Sequence, residues 1–145
     1  MDYLAAFAIS GSGMAVERAR LDVTAVNLAN ANSTRGPDGA MYRPLRVVSG
    51  VRVEPRFANL LGLFGTQLGG AQVREVVPVD LPARLVHDPG HPDADANGFV
   101  AYPGMNPVLE MVNLMVAVRG YEANLVALNA AKTMALRALD IGGNR

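Results

Sequence analysis

No stretch narrows the fold of this chain more than its C-terminal run from Met105 to Arg145. Asn106-Pro107 is a helix start, because asparagine is a favoured N-cap and proline fits the first helical turn. No proline follows, and the pattern continues unbroken to Gly142-Gly143, a natural stop. A helix from Pro107 to Ile141 spans about 50 Å at ~1.5 Å per residue. Along it Met111, Leu114, Val118, Tyr121, Leu125, Leu128, Lys132, Ala135 and Leu139 fall on alternating steps of three and four. Only Lys132 interrupts that apolar seam, which predicts coiled-coil-like packing.

The seam leaves apolar residues over. Val108, Leu109, Val112, Met115 and Val116 lie off it, so the first turns are apolar nearly all round, as in a helix covered on several sides. A chain of 145 residues has little else with which to cover them. Partners outside the chain are therefore expected.

The N-terminal residues 3 to 31 read as a second long helix, with Phe7, Met14, Leu21 and Leu28 repeating at seven and Ile9, Val16 and Val23 in a parallel row. Gly11 and Gly13 each cost roughly 1 kcal/mol against alanine inside a helix. They mark either a break or a place where a neighbouring helix comes close. The helix ends near Asn30-Ala31-Asn32, ahead of the loop chemistry of Ser33 to Gly39.

Between the helices the chemistry changes. Eight of the nine prolines lie from Pro37 to Pro103. Short Val-rich runs at Arg46 to Val53, Gln72 to Val77, Arg84 to Val86 and Phe99 to Tyr102 read as strands. The apolar stretch Phe57 to Gly70 either tucks under this β region or offers a contact to a neighbour. The expectation is an α+β chain in two parts: a discontinuous helical assembly domain, residues 1–32 and 105–145, and a small β-rich domain, residues 33–104, inserted between the paired helices.

Bulk chemistry excludes several functions. Net charge is zero with 18% charged residues, so there is no electrostatic case for nucleic acid or an anionic membrane. The absence of cysteine removes disulfides and thiolate metal sites. No stretch is long and apolar enough to span a bilayer, and Asp2 with the short run Leu4 to Ile9 does not form a cleavable signal peptide. Asp93-Ala94-Asp95-Ala96-Asn97-Gly98 imitates half a calcium loop, but Gly104 stands where the bidentate glutamate belongs, and a turn is the better reading. His87, Asp88 and His91 make an incomplete transition-metal set beside Pro89 and Pro92. Ser10 to Gly13 lacks the spacing of a nucleophile elbow. No cofactor and no enzymatic activity are expected.

Three separated motifs carry a resemblance. Asn27-Leu28-Ala29-Asn30-Ala31-Asn32 closes the N-terminal helix. Glu110 to Asn113 and Arg119-Gly120-Tyr121-Glu122-Ala123-Asn124 lie in the C-terminal one, with Leu136, Ala138, Leu139 and Gly142 at its end. The chain is similar along its length to the bacterial flagellar basal-body rod proteins. Its His87 to Val100 segment, and its shortness, are similar to the proximal rod members. It departs from them at Pro103-Gly104-Met105-Asn106, where the family usually has Pro-Asn-Val-Asn.

The resemblance implies a structural subunit that polymerises with copies of itself and other rod subunits into the drive shaft crossing the periplasm. It also implies delivery through the flagellar type III export apparatus. Neither nucleic acid nor direct membrane insertion enters that reading. The assembly interface is then expected along the helices, at Leu21, Asn27, Leu28, Asn30, Met111, Leu114, Val118, Tyr121, Asn124, Leu125, Leu128 and Leu139. Asn27 and Asn124, set amid apolar rows, are expected to fix helix register. A soluble helical adaptor or export-chaperone-like module is the alternative, distinguished by a stable monomer or dimer with no place in a basal body.

Overall fold

A computed structural model describes residues 3–36, 39–53 and 68–143. Helix α1 (Tyr3–Ala29) is followed by strands β1 (Leu45–Val53), β2 (Leu68–Pro78), β3 (Arg84–His87) and β4 (Phe99–Tyr102), and helix α2 (Pro107–Gly143) closes the chain. Both helices begin and end within two residues of the sequence expectation. Asn106 is the cap: its Oδ1 accepts the Val108 N–H at 2.9 Å and its carbonyl accepts the Glu110 N–H at 3.1 Å. At the other boundary, Asn30 closes α1 by donating its side-chain amide to the Val26 carbonyl at 2.8 Å.

The α+β expectation holds, with the β part divided into two antiparallel two-stranded sheets, β1–β2 and β3–β4. In the first, Leu45 pairs with Pro78 and Val53 with Leu68, with irregularities after Val48 and Val51. β2 starts earlier than its Val-rich part suggests, because the strand includes Leu68-Gly69-Gly70. Of the apolar stretch from Phe57 to Gly70, residues 57–67 lie outside the described residues.

Helix α1 packs against both α2 and the β1–β2 hairpin, whose backbones do not pack on each other. The helices run antiparallel in strict one-to-one register. A Cβ added at Gly13 would lie 2.6 Å from Asn124 Oδ1, one added at Gly120 would lie 3.0 Å from Glu17 Cδ, and Asn27 bonds Glu110. The most covered positions of α2 are accordingly Glu110, Leu114, Ala117, Tyr121, Asn124, Leu128, Ala131 and Ala135. The expected seam keeps Leu114, Val118, Tyr121, Leu128 and Ala135 at least half-covered, but not Met111, Leu125, Lys132 or Leu139. Met111 and Leu125 are 50% and 42% exposed and Lys132 is exposed, while Glu110, Ala117, Asn124 and Ala131 are turned toward α1; Val118 keeps a half-buried place beside Ala117. The physical reason is close approach: small residues (Gly13, Gly120, Ala117, Ala131) let the helices come together, and the larger apolar side chains are left on the outer faces.

Gly11 and Gly13 thus differ. α1 runs through both unbroken, but nothing lies within 4 Å of a Cβ at Gly11, whereas Gly13 receives Asn124. Outside the helical pair, Ala31, Val100, Pro103 and Met105 are also buried. There Gly104 lies so close to the Pro82 carbonyl that no side chain fits, which accounts for glycine at this point of departure from the rod-protein pattern.

Candidate functional site

Three buried polar side chains, Thr24, Asn27 and Glu110, lie in the helical pair, and two of them meet. Asn27 is fully buried on α1 and faces the start of β1. Its Oδ1 accepts the Leu45 N–H at 2.8 Å and the Tyr42 hydroxyl at 2.9 Å. Its Nδ2 donates to the Leu45 carbonyl at 2.9 Å and to Glu110 Oε2 at 3.2 Å. The side-chain amide therefore pairs with both backbone groups of Leu45, as a neighbouring strand would. Aspartate would lack the donor, and glutamine would be one methylene too long for the same two bonds.

Glu110 is 1% exposed, in the first turn of α2, where the helix dipole favours an acid. Arg46 of β1 grips it with two nitrogens, Nη1 to Oε2 at 2.9 Å and Nη2 to Oε1 at 2.5 Å, and Asn113 adds a longer bond at 3.4 Å. Burial alone pushes the Glu110 carboxyl up. The bonds from Arg46 and Asn27 and the Arg46 charge more than offset that, and hold it below the ordinary glutamate value. The same bond to Glu110 holds the Arg46 guanidinium up, and burial, followed by the Glu110 charge, pushes the Tyr42 phenol up. This arrangement offers an ion pair with its donors and acceptors matched. It positions three elements and leaves no reactive group free.

Two further contacts fasten the hairpin along α1. Arg20 Nη2 donates to Ser49 Oγ at 3.0 Å. Nearer the N-terminus, Ser12 Oγ accepts the Ala71 N–H at 3.0 Å and donates to the Ile9 carbonyl at 2.7 Å. Gly70, at φ +105°, seats its backbone directly on Ser12, where a Cβ would collide.

The decoy motifs resolve into turn structure. Asp95 Oδ1 accepts the Asn97 and Phe99 N–H groups, each at 2.8 Å, and Gly98 takes φ +79°. His91 Nδ1 accepts the Asp93 N–H at 3.0 Å, while Asp93 takes the Thr34 hydroxyl at 2.7 Å. His87 stacks edge-on against Phe99 at 5.1 Å.

The residues expected at an assembly interface separate into two groups. Leu21, Asn27, Leu28, Asn30, Leu114, Val118, Tyr121, Asn124 and Leu128 are buried or half-buried within the chain. Leu21 and Tyr121, from different helices, line one shallow groove of about 240 Å³. Met111, Leu125 and Leu139 stand outward, Leu139 71% exposed. Asn124 donates locally to the Gly120 carbonyl at 2.8 Å while its amide fills the notch at Gly13. Sequence reasoning missed Arg46, Tyr42 and the inward role of Glu110. The available signal was a lone acid, Glu110, in an otherwise apolar first turn, where a solvent-facing helix would carry several polar residues.

The outer faces are the chain's other distinctive feature. Val108, Leu109, Val112, Met115, Val116 and Val126 are each 44–67% exposed on α2. The one-to-one register sets Tyr3 opposite Met134, so the end of α2 runs on past the described start of α1. In that overhang Leu136, Leu139 and Ile141 are 53%, 71% and 81% exposed. Among the described residues, no helix is long and apolar enough to cross a membrane. Exposed apolar faces of this kind are the surfaces that protein contacts use.

Comparison with known proteins agrees with that reading. Residues 7–37 match the family described as flagella basal body rod protein, and residues 96–141 match flagellar basal body rod FlgEFG protein C-terminal. The flagellar basal-body rod protein FlgC of Salmonella typhimurium is 44% identical, over 98% of this chain and 99% of its own length. The FlgC proteins of Bacillus subtilis and Borreliella burgdorferi are 37% and 34% identical, each over 92% of this chain. With matches of this extent at both helices and along nearly the whole length, the chain belongs to the FlgC family of flagellar basal-body rod proteins.

Proposed function

We propose that this chain is a structural subunit of the proximal rod, delivered by the flagellar type III apparatus. It joins copies of itself and other rod subunits through its terminal helices. The observation that carries this reading is the apolar surplus on α2, from Val108 to Val126 and again from Leu136 to Ile141, which α1 leaves open. Burying a side chain of that kind yields about 1.5–3 kcal/mol, so neighbours that cover these faces supply much of the assembly energy. Contacts made by different faces of one subunit are heterologous, and such contacts build open helical polymers. The subunit acts by shape and surface. No catalytic step belongs to it, and the rod carries it across the periplasm as part of the basal body.

Leu125→Asp tests the reading. Leu125 is 42% exposed, so the substitution places a charge on a face open to a neighbour and also removes some intrachain packing, which the helical content of the variant must show to be tolerated. The expected outcome is a secreted, helical chain in cells that do not swim and lack a complete rod. Normal motility overturns the proposed use of this face.

A further inference from the structure

We infer that Glu110 is a positioning residue that ties the seating of the β1–β2 hairpin to the pinning of helix α2, so that the two elements order as one unit. The argument starts from what does not touch. Among the described residues the backbone of α2 packs on α1 and on neither β1 nor β2. The carboxylate of Glu110 crosses that gap. It takes two bonds from Arg46 of β1 and one from Asn27 of α1, at 2.5–3.2 Å.

The geometry makes the three partners interdependent. Asn27 is held by both backbone groups of Leu45, the residue just before Arg46. When the hairpin is seated, Asn27 Nδ2 and the Arg46 guanidinium are both aimed at the place Glu110 must occupy. When it is not, the Glu110 carboxylate loses its main cation and the two bonds that tie this turn of α2 to β1, and its approach to α1 is left without that compensation. The reverse holds as well. Without Glu110, the Asn27 amide hydrogen that points at it and the inner face of Arg46 lose their acceptor. A groove of about 270 Å³ opens beside this junction, lined by residues of all three elements, among them Thr24, Arg46 and Asn113. At this junction the hairpin reaches α2 through the two Arg46–Glu110 hydrogen bonds. The coupling rests on the polar clasp.

The functional consequence is orientational. The outward stripe of α2 at Val108, Val112 and Val116 starts in the same turns as Glu110, so the clasp sets how that stripe is presented relative to the hairpin. This is a property of the single chain and stands whether or not those faces meet rod neighbours.

The test is amide hydrogen exchange, read by peptide mass, on the full-length purified chain and its Glu110→Gln, Arg46→Gln and double variants. Glu110→Gln should raise exchange in residues 45–50 and in residues 110–117 by a common factor of about tenfold. Residues 9–16 and 121–128, around the Gly13 notch, should change far less. The double variant should be no worse than Glu110→Gln alone, the mark of residues acting through one interaction. Arg46→Lys, which keeps a single charged donor at a partly exposed position, should recover at least half of the lost protection in both segments together. The inference is overturned if residues 110–117 loosen while residues 45–50 keep wild-type rates. It is equally overturned if the two single effects add in the double variant, or if neither segment is protected in the wild-type chain.

Discussion

Replacing the two glycines of α1 by alanine, one at a time, separates the packing described above from helix propensity. Alanine is favoured over glycine inside a helix by about 0.5–1 kcal/mol. At Gly11 nothing lies within 4 Å of the added Cβ, so Gly11→Ala should gain all of that. At Gly13 the Cβ would lie 2.6 Å from Asn124 Oδ1 and 2.9 Å from Cγ, far inside contact distance. Relief means either breaking the Asn124 bond to the Gly120 carbonyl, worth about 0.5–1.5 kcal/mol, or prising the helices apart, an overpacking cost of about 1–3 kcal/mol. The propensity gain is common to both, so the two variants should differ by the relief cost, about 0.5–3 kcal/mol, with Gly11→Ala the more stable. Helical circular dichroism of the full chain in urea reads this difference. With a slope of about 1–3 kcal/mol per molar urea, the midpoints should separate by at least about 0.2 M. Adding Asn124→Ala to Gly13→Ala should restore most of the loss. Equal stabilisation by both alanines would refute the antiparallel register in which Gly13 faces Asn124.

The remaining predictions concern the clasp and the hairpin. Because the folded Glu110 carboxyl is held below its ordinary value, its contribution is fully present above about pH 4.5 and is lost as pH falls through the lower folded value; Glu110→Gln should flatten that acid limb in urea titrations. Tyr42 has the opposite sign, its phenol held up, so stability should fall as pH rises beyond about 10, and Tyr42→Phe should remove that alkaline loss. Ser12→Ala should cost about 1 kcal/mol by leaving the Ala71 N–H without its acceptor, with the change in hydrogen exchange largest at residues 69–73.

Much of this fold is legible in the sequence because its boundaries are chemical. Asn106-Pro107 can start a helix but hardly continue one, and the Ser33 to Gly39 run cannot extend α1. The strands announce themselves by valine between prolines. The face of α2 that meets α1 was harder to read, for a reason specific to close-packed helices. Periodicity weighted by size selects Met111 and Leu125, yet helices that approach through Gly13 and Gly120 bring Ala117, Asn124 and Ala131 inward. Large residues stand out in a sequence; notches do not. Asn27 drew notice because it sits amid apolar residues, and it proves fully buried. Its partners Tyr42, Leu45 and Glu110 are remote in sequence; the lone acid in the apolar first turn of α2 hints that Glu110 turns inward, and nothing local points to the other two. The first part of β2, Leu68 to Gly70, was hidden by its glycines, one of which is required by contact with Ser12.

The central claim is that this chain builds the rod, and electron microscopy of purified basal bodies tests it most directly. Cells in which the gene is deleted should not swim, and their basal bodies should retain the inner-membrane ring while lacking the rod beyond it. A plasmid copy of the wild-type chain should restore both rod and swimming, whereas the Leu125→Asp chain should restore neither. Intact rods in swimming cells that lack the chain would contradict the claim.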